Sequence, residues 1–353
     1  MTQAPDTDRT HTDGRGTDGR GTERPGPGLE VGAVARLGRA VLDRVRGAVV
    51  GMDESLELAL GSLLAGGHVL FEDVPGLGKT LAARSLSAAL GLEFRRLQCT
   101  PDLLPADITG SFVYDPSDRR FEFRPGPVFT GLLLADEVNR TPPKTQSALL
   151  EAMAEGQVTV EGRTFALPVP FRVVATSNPV EHEGTYALPE AQLDRFMVRL
   201  SVGYPARAQE QQILLDRIGR CREQAVVEPV VDAATFLRMQ AAVEQVHVDP
   251  DIAGYCVDLA HGTRQHPAVE VGASPRGSQA LLLLSRSLAV LDGRDFVTPE
   301  DVKRTAVPVL AHRLTLTTRA WADGVPAASV VEAVVGSVAG PPVTGPAGPG
   351  EAA

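Results

Sequence analysis

The chain has 353 residues, enough for about two domains with a buried core. Its 43% hydrophobic and 22% charged residues fit a soluble globular protein; no run of eighteen apolar residues predicts a membrane span, and no apolar region near the N-terminus predicts a secretory signal. A net charge of −10 and a pI near 5.3 argue against a general nucleic-acid surface, while Cys99, Cys221 and Cys256, without CxxC spacing, fit reduced thiols in the cytoplasm.

Residues 1–28 have no apolar periodicity. Thr12-Asp13-Gly14-Arg15-Gly16 is repeated as Thr17-Asp18-Gly19-Arg20-Gly21, and Pro25 and Pro27 follow. Such a segment buries too little surface to offset chain entropy, so a disordered tail is expected. Val34, Leu37, Val41 and Val45 recur at helical spacing within 29–50, and 52–64 reads as a second helix closed by Gly66-Gly67.

Next comes HVLFEDVPGLGKT at 68–80, around which the rest is organised. Val69-Leu70-Phe71 reads as a buried strand, a loop carries Pro75, Gly76 and Gly78, and Lys79-Thr80 opens a helix to Leu90, closed by Gly91. Strand, glycine loop, Gly-Lys-Thr and helix in that order form a phosphate-binding P-loop. Glycines let backbone N–H groups turn toward phosphate oxygens, and the helix N-terminus adds positive partial charge. Lys79 would reach the β- and γ-phosphates, and the Thr80 hydroxyl would hold Mg²⁺. The full pattern asks for glycine at position 73, where Asp73 stands.

Residues 94–99 predict a second strand, and 112–114 with 121–123 a hairpin turning over 115–120. Gly131 to Ala135 is a continuous apolar run, as expected of a parallel strand covered on both faces. Asp136-Glu137 ends it. A helix starts at Pro142-Pro143 and stops at Gly156; 158–167 is a second hairpin turning over 161–163. Residues 171–176 form another buried strand, ended by Ser177-Asn178-Pro179, and 196–202 the last one. Beyond Gly203-Tyr204-Pro205 the pattern turns helical, over roughly 208–222, 233–243, 251–263, 275–291 and 299–314. The last dozen or so residues, rich in Gly, Pro and Ala, are expected to fray.

Alternating strands and helices imply a mostly parallel α/β sheet, whose ligands sit at the carboxyl ends of strands. The P-loop, Asp136-Glu137 and Asn178 all follow strands, so one site would collect them. Phosphoanhydride hydrolysis needs a metal to neutralise developing charge and a group to orient water. Asp136 would hold Mg²⁺ through water, Glu137 would polarise the attacking water, and Asn178 would bond the γ-phosphate or that water. Arg276 lies in the first turn of a helix starting at Ser274-Pro275, where the dipole disfavours a cation by about 0.3–1 kcal/mol, a cost that makes sense if it faces phosphate, while a tolerated surface arginine fits the local sequence equally well. Arg195 is open to two readings, an ion pair with Asp194 or a trans-acting arginine finger, and the local sequence favours the pair. Cys256, His261 and His266 fit no standard metal-ligand spacing, and no nucleophilic triad assembles.

With these residues assembled, the chain resembles the MoxR family of AAA+ ATPases from about Val31 to Leu314. The resemblance is carried by GHVLFEDVPGLGKT (67–80), LLLADEVNRTPPKTQSALLEAMAEGQVTV (132–160), VVATSNP (173–179), LPEAQLDRF (188–196) and GASPRGSQALLLL (272–284). It implies an AAA+ P-loop core over 29–204, an all-α lid domain over 205–336 and a flexible tail over 337–353. It makes the loop Asp73-Val74-Pro75-Gly76-Leu77-Gly78-Lys79-Thr80 Walker A, with acidic residues tolerated at 73, and Asp136-Glu137 Walker B. Asn178 matches sensor 1, Arg195 the arginine finger and Arg276 sensor 2; the two hairpins match the helix-2 insert and the hairpin before sensor 1. It further implies ATP and Mg²⁺ as cofactors and a homo-oligomeric ring, usually a hexamer. The family's role is chaperone-like remodelling or activation of other proteins, often with a von Willebrand factor A domain partner. Two other functions compete: a slow nucleotide-gated binding module, and a DNA motor using the hairpins. The mixed charge of the hairpin tips argues against the second.

Overall fold

The computed structural model describes residues 28–179, 185–221 and 225–341. Of the tails expected at 1–28 and 337–353, residues 1–27 and 342–353 lie outside the described residues. In chain order, α1 (Val31–Arg46) and α2 (Asp53–Leu64) precede β1 (Val69–Glu72), and α3 (Lys79–Ala89) leads to β2 (Phe94–Gln98). A short α4 (Pro105–Thr109) opens the hairpin of β3 (Gly110–Asp115) and β4 (Arg120–Pro125). Then come β5 (Leu132–Asp136), α5 (Pro143–Glu155), the hairpin of β6 (Gln157–Val160) and β7 (Arg163–Ala166), β8 (Arg172–Ser177), α6 (Glu190–Leu193) and β9 (Val198–Leu200). The second half holds α7 (Arg207–Arg220), α8 (Ala233–Val243), α9 (Pro250–Gln265), β10 (Val269–Val271), α10 (Pro275–Leu291), α11 (Pro299–Leu310), β11 (Thr315–Leu316), α12 (Thr318–Ala322) and α13 (Ala327–Ser337).

Five strands form one parallel sheet in the order β2-β5-β8-β1-β9. Their alternation sorts the core. Val69 and Phe71, Leu132 and Leu134, and Val174 face α1, α2, α3 and the lid helices in one hydrophobic cluster. Leu70, Leu133 and Ala135, and Val173 and Ala175 face α5 and the second hairpin in the other. Period-two side chains on strands apolar throughout are what a sheet covered on both faces requires.

The first cluster runs without a break from the sheet into the second half of the chain. Its seam is α1 against α10. Gly38 lets the two helices approach closely there: a Cβ at that position would stand 2.3 Å from Leu291 Cδ2, so that side chain would have to move. The helix α10 starts where Ser274-Pro275 predicts, with the Ser274 hydroxyl accepting from the Arg276 N–H at 3.2 Å. The helix expected over 299–314 ends at Leu310 and tightens into a 3₁₀ turn, Ala311–Arg313. That turn carries the tie between the two halves. Arg313 donates to Asp194 Oδ1 at 2.8 Å and to the Phe196 and Met197 carbonyls at 2.8 and 3.2 Å, and the His312 ring bonds the Phe196 carbonyl at 3.1 Å. The helical half also carries the β10–β11 ribbon.

Candidate nucleotide site

Strand order places β8 between β5 and β1, so the residues after these three strands meet along one rim. Gly76 and Gly78 hold φ of +85° and +83°, with open space where a Cβ would stand. Backbone conformation alone therefore demands glycine at both. Gly78 caps α3, and Lys79 is its first residue. The Lys79 ammonium, buried to 8% exposure, donates to the carbonyls of Asp73 at 2.5 Å and Ser177 at 3.4 Å. Burial pulls its pKa down, against the opposing pull of Asp73, Asp136, Glu137 and Glu72.

The Asp73 side chain is turned away from the loop's concave face. Its Oδ2 accepts from Ser201 Oγ at 3.0 Å and from the Val202 and Gly203 N–H groups at 2.7 Å each, and Oδ1 from the Val74 N–H at 2.8 Å. Partial burial would raise its pKa, but these donors, led by Gly203, hold the carboxyl below the usual range. The carboxylate thus ties the P-loop to the chain leaving β9, and only the backbone of Asp73 faces the site.

Asp136 is the centre of the rim. Its Oδ1 accepts from Thr176 Oγ1 at 2.6 Å; its Oδ2 accepts from Thr80 Oγ1 at 3.1 Å and from Arg96 Nε and Nη2 at 3.0 and 2.7 Å. The next residue, Glu137, has left-handed backbone (φ +58°) and gives its N–H to Thr176 Oγ1 at 2.8 Å. Its carboxylate accepts from Gln98 Nε2 at 2.9 Å and Arg140 Nη1 at 3.1 Å. Arg96 also bonds Gln98 Oε1 at 2.6 Å, so one network joins both acids. Asn178 is buried beside Asn139, which bonds the Asn178 carbonyl at 3.0 Å.

Lys79, Thr80, Asp136, Glu137 and Asn178 are therefore gathered, as the three strand ends predict. The two arginines lie apart from that network, at the α6–β9 corner. Asp194 takes Arg313, and Arg276 Nη1 approaches its Oδ2 at 3.9 Å with the Arg276 side chain 62% exposed. The ion pair of Arg195 with Asp194 is overturned: the buried Arg313 guanidinium fills that place, and Arg195 has no ion pair among the described residues.

Two segments match known family models: residues 68–198 the "ATPase family associated with various cellular activities (AAA)", and 261–334 the "AAA lid domain". An uncharacterized Bacillus subtilis protein, YeaC, is 47% identical over 86% of this chain and 94% of its own. Chaperone MoxR1 of Mycobacterium tuberculosis is 43% identical over 88% of this chain and 84% of its own. The chain belongs to the MoxR family of AAA+ ATPases. A crystal structure from Cytophaga hutchinsonii, described as a candidate ATPase, superposes on this MoxR-family chain with a TM-score of 0.81, at 37% identity, covering 87% of this chain and 96% of the other.

In this MoxR-family rim, two sets of residues escape a motif reading. Arg96 and Gln98 are an i, i+2 pair on β2, legible only as polar positions on an edge strand. A cavity of about 170 Å³ beside the P-loop is lined by Val49, Val50, Leu81 and Gly78 with Ile213 and Asp216 of α7. Its one sequence signal is the break at Val49-Val50-Gly51. Among the described residues no helix is long and apolar enough to cross a membrane.

Proposed function

We propose that this ATPase binds ATP with Mg²⁺ along the rim between the P-loop and Asp136-Glu137, hydrolyses it, and uses the cycle as a chaperone-like remodeller or activator of partner proteins. The observation that carries the reading is the 3.1 Å bond from the Thr80 hydroxyl to Asp136, with Glu137 and Asn178 at adjoining strand ends. Hydroxyl and carboxylate oxygens are the hard donors Mg²⁺ takes, so the residues fit the ion. Bound there, Mg²⁺ would neutralise charge on the phosphates.

The chain's own residues divide the remaining work. The Asp73-to-Gly78 backbone, through Val74, Pro75, Gly76 and Leu77, cradles phosphate oxygens with its N–H groups. Lys79 exchanges its two carbonyl partners for phosphate oxygens. Thr80 and Asp136 hold the metal. Glu137 leaves Gln98 and Arg140 to polarise water, and Asn178 positions that water against the γ-phosphate. The apolar cavity of Val49, Val50, Leu81 and Ile213 takes the base.

Arg195, with no ion pair among the described residues, serves as the finger for the nucleotide of a neighbouring subunit, and Arg276 as the lid's contact to phosphate. A hexameric ring in the cytoplasm, working with a von Willebrand factor A domain protein, completes the reading; the chaperone name of the Mycobacterium tuberculosis relative supports the client class. Glu137→Gln tests the core claim. It should lower ATP turnover at least about a hundredfold while nucleotide affinity stays unchanged. Undiminished hydrolysis by the variant would falsify the mechanism.

A further inference from the structure

The rim holds a cation that the proposed reaction does not use. Arg96 grips Asp136 Oδ2 through both Nε and Nη2, and Thr80 reaches the same oxygen, while Thr176 takes Oδ1. A carboxylate offers about four lone-pair positions, so Asp136 is close to saturated. Mg²⁺ keeps several of its waters, and an ion held by Asp136 through water needs that same oxygen as acceptor, where a guanidinium would repel it. The two cations are alternatives for one site.

The geometry also tells which partner moves. The Asp136 side chain is 11% exposed, fixed by its place in β5 and by Thr176. The Arg96 side chain is 51% exposed at the sheet's edge strand. A half-solvated guanidinium leaves for water at small cost. Asp136 stands poorly hydrated beside Glu137, so a directly bonded counter-charge is favourable there even with Lys79 acting on both acids across the rim. Arg96 thus suits the state without metal.

We infer that Arg96 is a tethered counter-ion that holds Asp136 in the metal-free site and is displaced by Mg²⁺, which makes it a positioning residue that sets the magnesium requirement of nucleotide binding. The inference rests on the ATPase reading above and adds a competition to it. Its readout is binding of a fluorescent ATP analogue to the full chain, at fixed nucleotide, as Mg²⁺ is titrated.

Arg96→Ala should lower the Mg²⁺ midpoint by about three- to tenfold, and Arg96→Lys should lower it less. Arg95→Ala removes the same charge from the same strand, but Arg95 pairs with Glu93, not Asp136, so its midpoint should stay at the wild-type value. Thermal melts supply a second reading. Without nucleotide and with chelator, Arg96→Ala should melt below wild type, and the gap should close at saturating Mg²⁺ and ATP. A midpoint unchanged or raised, equal shifts in the Arg95 and Arg96 variants, or a gap that persists at saturation overturns the inference while wild-type binding stands. If wild type binds no nucleotide at any Mg²⁺ concentration, the proposed function itself falls, and this with it. Should Arg96→Ala not fold, Arg96→Gln, which keeps a hydrogen bond without the charge, carries the same titration.

Discussion

Asp136, at the carboxyl end of β5, and Asp194, in the turn that leads into β9, both accept an arginine, yet the two pairs are built for different ends. Arg313, facing Asp194, has a side chain only 3% exposed and spends other donors on the backbone carbonyls of Phe196 and Met197, which lead into β9. Arg96, facing Asp136, is half in water, and its other partner is the side chain of Gln98. An arginine bonded to backbone cannot leave without stranding carbonyls and a carboxylate together. One bonded to side chains at the surface can. The first arrangement fixes the helical half against the sheet, and the second leaves an acid available for exchange.

The largest expected effect follows at the fixed pair. Arg313→Ala should destabilise the fold by about 3–5 kcal/mol, because it strands a partly buried carboxylate and the Phe196 and Met197 carbonyls. Arg96→Ala, without nucleotide, should cost no more than about 1 kcal/mol. Urea unfolding of both variants gives the ratio. Equal losses would erase the distinction drawn between the two pairs.

Asp73 lies between these cases and sharpens the scale. Its carboxylate is less exposed than Arg96 and holds three backbone N–H groups and a hydroxyl, a fixed set like that of Arg313. Asp73→Ala should cost about 1–3 kcal/mol in the same unfolding measurement. Because the carboxylate faces 201–203 and not the loop's concave side, nucleotide affinity should fall through loosening of the loop. Asp73→Asn, which keeps an acceptor, should recover part of both.

These differences also separate what was legible in the sequence from what was not. The sheet, both hairpins and the Ser274 cap were readable because apolar period, turn residues and capping residues act over a few neighbours. Lys79, Thr80, Asp136, Glu137 and Asn178 could be placed together because each follows a strand, and parallel strands bring their carboxyl ends to one edge. The partner of Asp194 was not readable: its neighbour Arg195 was the local choice, while the fold delivers Arg313 from the lid. Asp73 looked like a P-loop position because its motif slot is local, whereas its partners Ser201, Val202 and Gly203 come from beyond the last strand. Arg96 and Gln98 carried only strand alternation. Each miss is a side chain whose partner is set by packing.

A pH dependence isolates the fixed joint from the exchangeable rim. His312 is fully buried beside Arg313, bonded to the Phe196 carbonyl, and burial, then Arg313 and Arg199, push its pKa well below the ordinary 6.5. His68, bonded to the Met153 carbonyl at 3.2 Å and accepting the Val173 N–H at 2.9 Å, is pushed by burial and Arg172 to about 3. Both are neutral in the folded chain and take a proton more readily when unfolded. Stability is therefore full above pH 6.5 and falls as pH drops below it, by roughly 1 kcal/mol per pH unit per histidine. Asp73, whose pKa lies below its ordinary 3.8, loses its contribution only as pH falls below that value, outside the range from pH 7.5 to 5. Urea unfolding at pH 7.5, 6 and 5 should show this slope, and His312→Gln should remove about half of it by deleting the lid's share. A slope unchanged in that variant would mean that His312 is not held neutral at the joint, and that the Arg313 contact is open to water much as Arg96 is.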